Sequence, residues 1–161
     1  MIDQGILEIV ASLLKSQDAE VREQSALLLG SFAISAIARQ LFDYAFGNMR
    51  DLLEDETLAV REACAWVYKR LSGNDDGCQR IVQSGSPEDM AKSFVMHASE
   101  EQIKKTDAEY LTHLLEAMIN LTFSDTGIES LSNFGLIEQV AKILDGGKIE
   151  EELDEHYPKI A

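Results

Sequence analysis

The tripeptide Val-Arg-Glu opens at Val21 and again at Val60, and the helix-like stretch behind it returns with it. "DAEVREQSALLLGSF" starts at Asp18 and "TLAVREACAWVYKRL" at Thr57. From Val21, apolar or small residues fall at 21, 25, 28, 29 and 32; from Val60 they fall at 60, 64, 67, 68 and 71. This i, i+4, i+7, i+8, i+11 stripe is one face of a helix and no strand produces it. A third, weaker copy has Tyr110 in the valine position, "YLTHLLEAMINLTF", with its stripe at 110, 114, 117, 118 and 121. Self-similarity at such a period means stacked supersecondary units, each too small to bury its own apolar face. The fold is expected to be all-α.

A second ladder runs between these copies: "QGILEIVASLL" from Gln4, "FGNMRDLL" from Phe46, "SGSPEDMAKSF" from Ser84 and "FGLIEQVAKIL" from Phe134. Each has glycine second, then an amphipathic run. The Phe46 copy is three residues shorter than the first. Pro87 sits early in its copy, where a first helical turn tolerates it. "ISAIARQLFDYAF", "DDGCQRIVQ" and "DTGIESLSN" read as shorter helices before each glycine. Asp18 and Asp107 are expected N-caps, and Glu20, Glu56 and Glu109 suit the first turns of their helices. Arg22 and Arg61 lie one step off the stripe, facing solvent or a neighbouring acid. The chain divides into a partial repeat (1–34), two fuller repeats (35–73 and 74–124) and a trailing partial repeat (125–146). "HASEEQIKKTD" takes up the longer spacing before Tyr110. Residues 1–146 form one repeat domain, and 147–161 an acidic tail with little core potential.

Composition agrees with helix and limits the partners. Only two prolines occur in 161 residues, and 45% of the chain is hydrophobic. The 29 acidic against 14 basic residues give a net charge of −15, which repels phosphate backbones and anionic membrane surfaces. Neither nucleic acid nor membrane is an expected partner; a basic protein is permitted. No apolar run is long enough to cross a bilayer, and Asp3 and Glu8 stand where a signal peptide would be basic. Two cysteines make no disulfide framework; Cys64 reads as a small core residue, Cys78 as partly exposed, and the expected compartment is reducing and cytoplasmic.

A short helix, then Gly plus apolar residues, then a long helix opening with Val-Arg-Glu and running Ala-x-x-Leu-x-x-Phe resembles the armadillo repeat. The resemblance covers residues 4–145 and implies a right-handed α-solenoid of three to four partly degenerate repeats. Its long helices would line a concave groove. On that face stand Gln24, Leu27 and Ser31, then Ala63, Trp66 and Arg70, then His113, Glu116 and Asn120. Trp66 is either an aromatic anchor for a bound peptide or a filler of the junction between repeats. Import receptors of the armadillo family pair Trp with Asn four residues on; here Trp66 precedes Arg70 and Glu116 precedes Asn120, so that ladder is incomplete.

No catalytic pattern accompanies the groove. "LDGGK" lacks the spacing of a phosphate loop, and His97, His113 and His156 form no metal-ligand cluster. No cofactor, metal or small-molecule substrate is expected, and the chain reads as a non-enzyme. Asn120 heads a formal glycosylation sequon in mid-helix, where it carries no weight.

Within the armadillo proteins, "SLLKSQDAEVREQSALLLGSF", "LLEDETLAVREACAWVYKRL" with "GCQRIVQSG", and "HLLEAMINLTFSDTGIESLSNFGLIEQVAKIL" are similar to the radial spoke head protein 14 family of motile cilia. That resemblance implies a structural axonemal subunit holding several other proteins and catalysing nothing. Family members carry further repeats on both sides. "MIDQG" opens directly on a helix, leaving an apolar edge that expects a neighbour, in the same chain or in a partner.

Overall fold

The computed structural model describes residues 4–40, 42–98, 108–132, 136–137 and 140–141. Among them the chain is all-helical: α1 (Gln4–Leu13), α2 (Ala19–Phe32), α3 (Ala36–Arg39), a 3-10 turn (Phe42–Tyr44), α4 (Phe46–Leu52), α5 (Leu58–Ser72), α6 (Asp75–Gln83), α7 (Ser86–Ala98), α8 (Ala108–Leu121) and α9 (Asp125–Ser132). The Phe134 copy of the ladder, the Asp107 cap, most of "HASEEQIKKTD" and the acidic tail lie outside the described residues.

The repeat register is visible in the helix bounds. Ala19, Leu58 and Ala108 open the three long helices, and Phe32, Leu71 and Leu121 occupy equivalent places at their ends. Helix α1 has 10 residues and α4 has 7, the three-residue shortening read from the sequence. Asp18 caps α2, its carboxylate accepting the N–H of Glu20 at 2.9 Å.

Helix α5 lies between α2 and α8 and packs extensively on both. The three run in parallel: Arg22 near the start of α2 pairs with Asp55 just before α5, and Asn120 near the end of α8 donates to Ser72 Oγ at 3.1 Å. Every stripe residue of α5 and α8 is buried. In α2 the stripe is less complete: Ser25 and Leu29 are buried, Val21 and Phe32 half-buried, and Leu28 is 45% exposed. The expectation of a uniformly buried stripe fails at Leu28 because no described helix packs on that side of α2.

The tight corner after each of the two later long helices needs glycine. A Cβ on Gly77 would stand 1.9 Å from the carbonyl oxygen of Leu71, and one on Gly127 would stand 2.0 Å from that of Leu121. Both are six residues beyond the oxygen, so the short helix presses its first turn onto the end of the long one.

The recurring arginines have a structural task. Arg22 Nη1 donates to the carbonyls of Ser16 and Gln17 at 2.8 and 3.2 Å, and Arg61 Nη1 to those of Asp55 and Glu56 at 2.7 and 3.4 Å. Each guanidinium thus reaches back six and five residues to gather the turn before its own helix. Arg39 repeats the pattern on Ala33 and Ile34, at 2.9 and 3.0 Å. The thiol of half-buried Cys78 stands in the place of Arg39 one unit on and donates to the carbonyl of Ser72 at 3.1 Å. These corners contain carbonyls that α-helices leave unpaired, and the side chains satisfy them.

A buried polar seam adds to the core. Tyr110 Oη and Ser93 Oγ are hydrogen-bonded to each other at 2.6 Å and lie 3.1 and 3.2 Å from the carbonyl of Leu53, which accepts from this pair. Tyr68 Oη donates to Ser86 Oγ at 3.1 Å, and the Cys64 thiol to the carbonyl of Met49 at 3.0 Å. Burial pushes both phenols and the Cys64 thiol above their ordinary values, so all three stay protonated as donors.

Candidate functional site

Because α2, α5 and α8 are parallel neighbours, the residues flanking their stripes share one surface. Two shallow depressions lie on it. The first, of about 270 Å³, brings together Leu27, Ala63, Trp66 and His113 with Glu23, Ala59, Glu62 and Glu109. The second, of about 590 Å³, brings together Arg70, Glu116 and Asn120 with Ile34, Lys69, Gly73 and Asn74. Seven of the nine expected groove residues therefore line these depressions. Gln24 and Ser31 are exposed on α2 and line neither, and the Ser31 hydroxyl turns back to the carbonyl of Leu27 at 3.0 Å. Ala63 contributes from below, being only 4% exposed.

Trp66 occupies a notch in α2. A Cβ on Gly30 would stand 2.4 Å from the indole ring, so the ring lies where a side chain would otherwise be. Arg70 stacks over the ring system, 5.4 Å from its centroid. Trp66 thus fills the junction with the preceding unit and still gives its half-buried edge to the first depression. Of the two alternatives read from the sequence, the contact with Gly30 matches the filler of the junction between repeats.

The surface is electrically polarised along the helices. Its N-terminal half carries Glu23, Glu62 and Glu109, where carboxylates suit the positive helix ends; its C-terminal half carries Lys69 and Arg70 together with one carboxylate, Glu116. Lys69 Nζ meets Glu116 Oε2 at 2.5 Å and His113 Nδ1 at 3.5 Å, bridging α5 to α8. The hydrogen bond from Lys69 holds the Glu116 carboxyl below its ordinary range. Sequence reasoning missed Lys69 and the three glutamates. Glu23 and Glu62 are the third residues of the two Val-Arg-Glu tripeptides, so the signal was in the repeat itself. In each copy the valine faces the stripe, the arginine gathers the preceding turn, and the glutamate borders the shared surface.

Among the described residues, no three His, Cys, Asp or Glu side chains converge as a metal site, and no helix is long and apolar enough to cross a membrane.

No family model matches the chain. A similarity to human cytochrome P450 2A13 extends over 143 residues at 26% identity, covering 86% of this chain. The chain spans 28% of that protein's length. In fold, the chain resembles engineered proteins whose crystal structures come from structural genomics. One has a TM-score of 0.71 at 23% identity, covering 89% of this chain and 57% of the engineered one. A second has 0.71 at 22%, covering 89% and 56%. A third has 0.70 at 23%, covering 91% and 34%. At these identities the likeness concerns the helical fold alone.

Proposed function

We propose that this chain is a non-catalytic protein–protein interaction scaffold, an armadillo-like right-handed α-solenoid of three to four partly degenerate repeats. The observation that carries this reading is the alignment of α2, α5 and α8 into one continuous face, with the same residue offsets in each unit. Such a face offers extended contact with area spread over several helices, which suits holding proteins together. The sequence resemblance to the radial spoke head protein 14 family supports reading the scaffold as a subunit of the radial spoke of the motile ciliary axoneme. There it would contact several subunits of a large complex, with no nucleic acid, membrane, cofactor or small-molecule substrate. Affinity purification of the full chain from ciliated cells tests this assignment. Radial spoke proteins are expected in the eluate; a specific set of partners with no axonemal protein among them would overturn it.

A second reading is favoured by the two depressions: a cytosolic adaptor that takes a peptide or helix along the α2–α5–α8 face. Trp66 and Arg70 are its discriminating pair, since they stack at the border between the two depressions. Under the adaptor reading, Arg70→Ala abolishes capture of the partner while leaving the fold intact. Under the spoke scaffold reading, partners held on other faces are retained.

A further inference from the structure

At several places the outward faces of this molecule carry isoleucine where an equivalent inner position carries a polar side chain. Shifts of 39 residues (Val21 to Val60) and 50 residues (Val60 to Tyr110) superpose the units. Across the first junction, Arg39 of α3 reaches forward to Asp76 of α6 at 3.2 Å. Asn48 of α4 reaches back to the carbonyl of Ala11 in α1 at 2.8 Å. Across the second junction, Lys69 of α5 reaches forward to Glu116 of α8. Cys78, the counterpart of Arg39, lies 3.8 Å from the carbonyl of Asn120. Positions 39, 78 and 69 are therefore forward-reaching, and 76 and 48 backward-reaching.

On the outward faces these positions turn apolar. The forward-reaching place of Arg39 and Cys78 is held in the last described unit by Ile128, 49% exposed, and that of Lys69 by Ile119, 56% exposed. The backward-reaching place of Asp76 is held in the first unit by Ile37, 66% exposed, and that of Asn48 by Ile9, 62% exposed. Leu28, 45% exposed, corresponds to Val67, which is fully buried and touches the Gly30 notch across the inner junction. At these places, which hold Arg39, Lys69, Asp76 and Asn48 across the inner junctions, the outward faces present isoleucine, the reverse of what a solvent-facing surface favours. The inner junction also shows the geometry in which a forward face meets a backward face.

We propose that the chain stacks head to tail on a second copy of itself. The α8–α9 face of one copy covers the α1–α3 face of the next, in the register of the inner junctions. Ile128 then meets Ile37 where Arg39 meets Asp76 inside, and Ile119 lies against Leu28 where Gly30 receives Val67. The contact is heterologous, so it propagates into short stacks rather than closing as a two-fold dimer. It rests on the repeat register of the scaffold reading but not on any location in the cell.

The test is light scattering on the purified full chain over a concentration series, with Ile37→Asp and Ile128→Arg. Both sites are exposed, so the folded monomer tolerates the changes, and circular dichroism verifies this. The unmodified chain is expected to gain mass with concentration. Each variant alone leaves an unpaired charge against isoleucine and stays monomeric. An equimolar mixture of the two variants rebuilds an Arg-Asp pair at one junction and an Ile-Ile contact at the other, and association returns. An unmodified chain that remains monomeric overturns the proposal and assigns the faces to another protein or to further helices. Association that either variant leaves unchanged overturns it as well, as does a mixture that fails to associate. Because the assay contains only this chain, its failure leaves the spoke assignment untouched, and failure of the cell pull-down leaves the stacking untouched.

Discussion

Helices α5 and α2 write the same apolar stripe from the same Val-Arg-Glu opening, and the molecule treats them differently. In α5 all five stripe residues are buried between α2 and α8; in α2 the third, Leu28, is nearly half exposed. The difference lies in the number of packed sides. Helix α5 packs on α2, α8, α6 and α4, and α8, whose stripe is buried as well, packs on α5, α7, α6 and α9, whereas α2 packs chiefly on α5 and α1. Local sequence sets the helix, while the neighbours decide how much of its apolar face is used.

The strongest way to break this comparison is at the corner after α5. Gly77→Ala places a methyl carbon onto the carbonyl oxygen of Leu71, a backbone atom that cannot turn away. Helix α6 must then shift against α5, and a loss of about 3 kcal/mol or more is expected in chemical denaturation. In the first unit the same position is already Ala38, fully buried, where α3 is only four residues long and followed by a 3-10 turn. Ala38→Gly should therefore give no comparable gain. A Gly77→Ala chain as stable as the original would show that the corner is less constrained than the central position of α5 implies.

How much of this was legible in the sequence depends on whether a residue's task is set by its own helix or by the next one. The stripes, the capping of α2 by Asp18 and the shortening of α4 relative to α1 follow from periodicity and local chemistry, and they are in place. The side of α2 that holds Leu28 is fixed only by what packs there, so the stripe could not reveal its exposure. The shared surface was partly legible. Spacing found Leu27, Ala63, Trp66, His113, Arg70, Glu116 and Asn120, since an offset from the stripe is a matter of angle. It did not find Glu23, Glu62 or Lys69, because long charged side chains reach laterally to a neighbouring helix. Gln24 and Ser31, at the outer margin of α2, have no further long helix beside them among the described residues to complete a depression.

The junction between the two helices can be loosened by pH as well as by mutation. Arg22 clasps Asp55 through two hydrogen bonds of 2.7 and 3.0 Å, both side chains being largely buried. Burial pushes Asp55 up, but the hydrogen bonds from Arg22 and from the Thr57 N–H outweigh it, and the carboxyl titrates below its ordinary range. A folded-state value below the unfolded one means that the ionised pair stabilises the fold above the ordinary carboxylate range. That contribution is lost as pH falls through the depressed folded value. Asp55→Asn keeps the Thr57 cap acceptor but removes the charge, and a loss of about 2 kcal/mol at neutral pH is expected. The difference between the two chains should shrink below about pH 4, the ordinary carboxylate range. A difference that stays constant down to pH 2 would show that the ion pair is not what joins α2 to α5 here.

The smallest expected effect gives the sharpest form of the comparison. Val67 and Leu28 occupy one position in successive units, and leucine has the larger side chain. Val67→Ala empties a fully buried site against Gly30, and about 2 kcal/mol should be lost through the missing carbons and the cavity they leave. Leu28→Ala removes more carbon from a site that is 45% exposed, where water can take up the vacated space. Its loss should stay below about 1 kcal/mol, offset by the better helix propensity of alanine. The measurement belongs at low protein concentration, where contact between copies does not contribute. Equal losses at the two sites would mean that Leu28 is covered in solution even in the isolated chain. The asymmetry between α2 and α5 would then disappear, and with it the reason for assigning α2 an outward face.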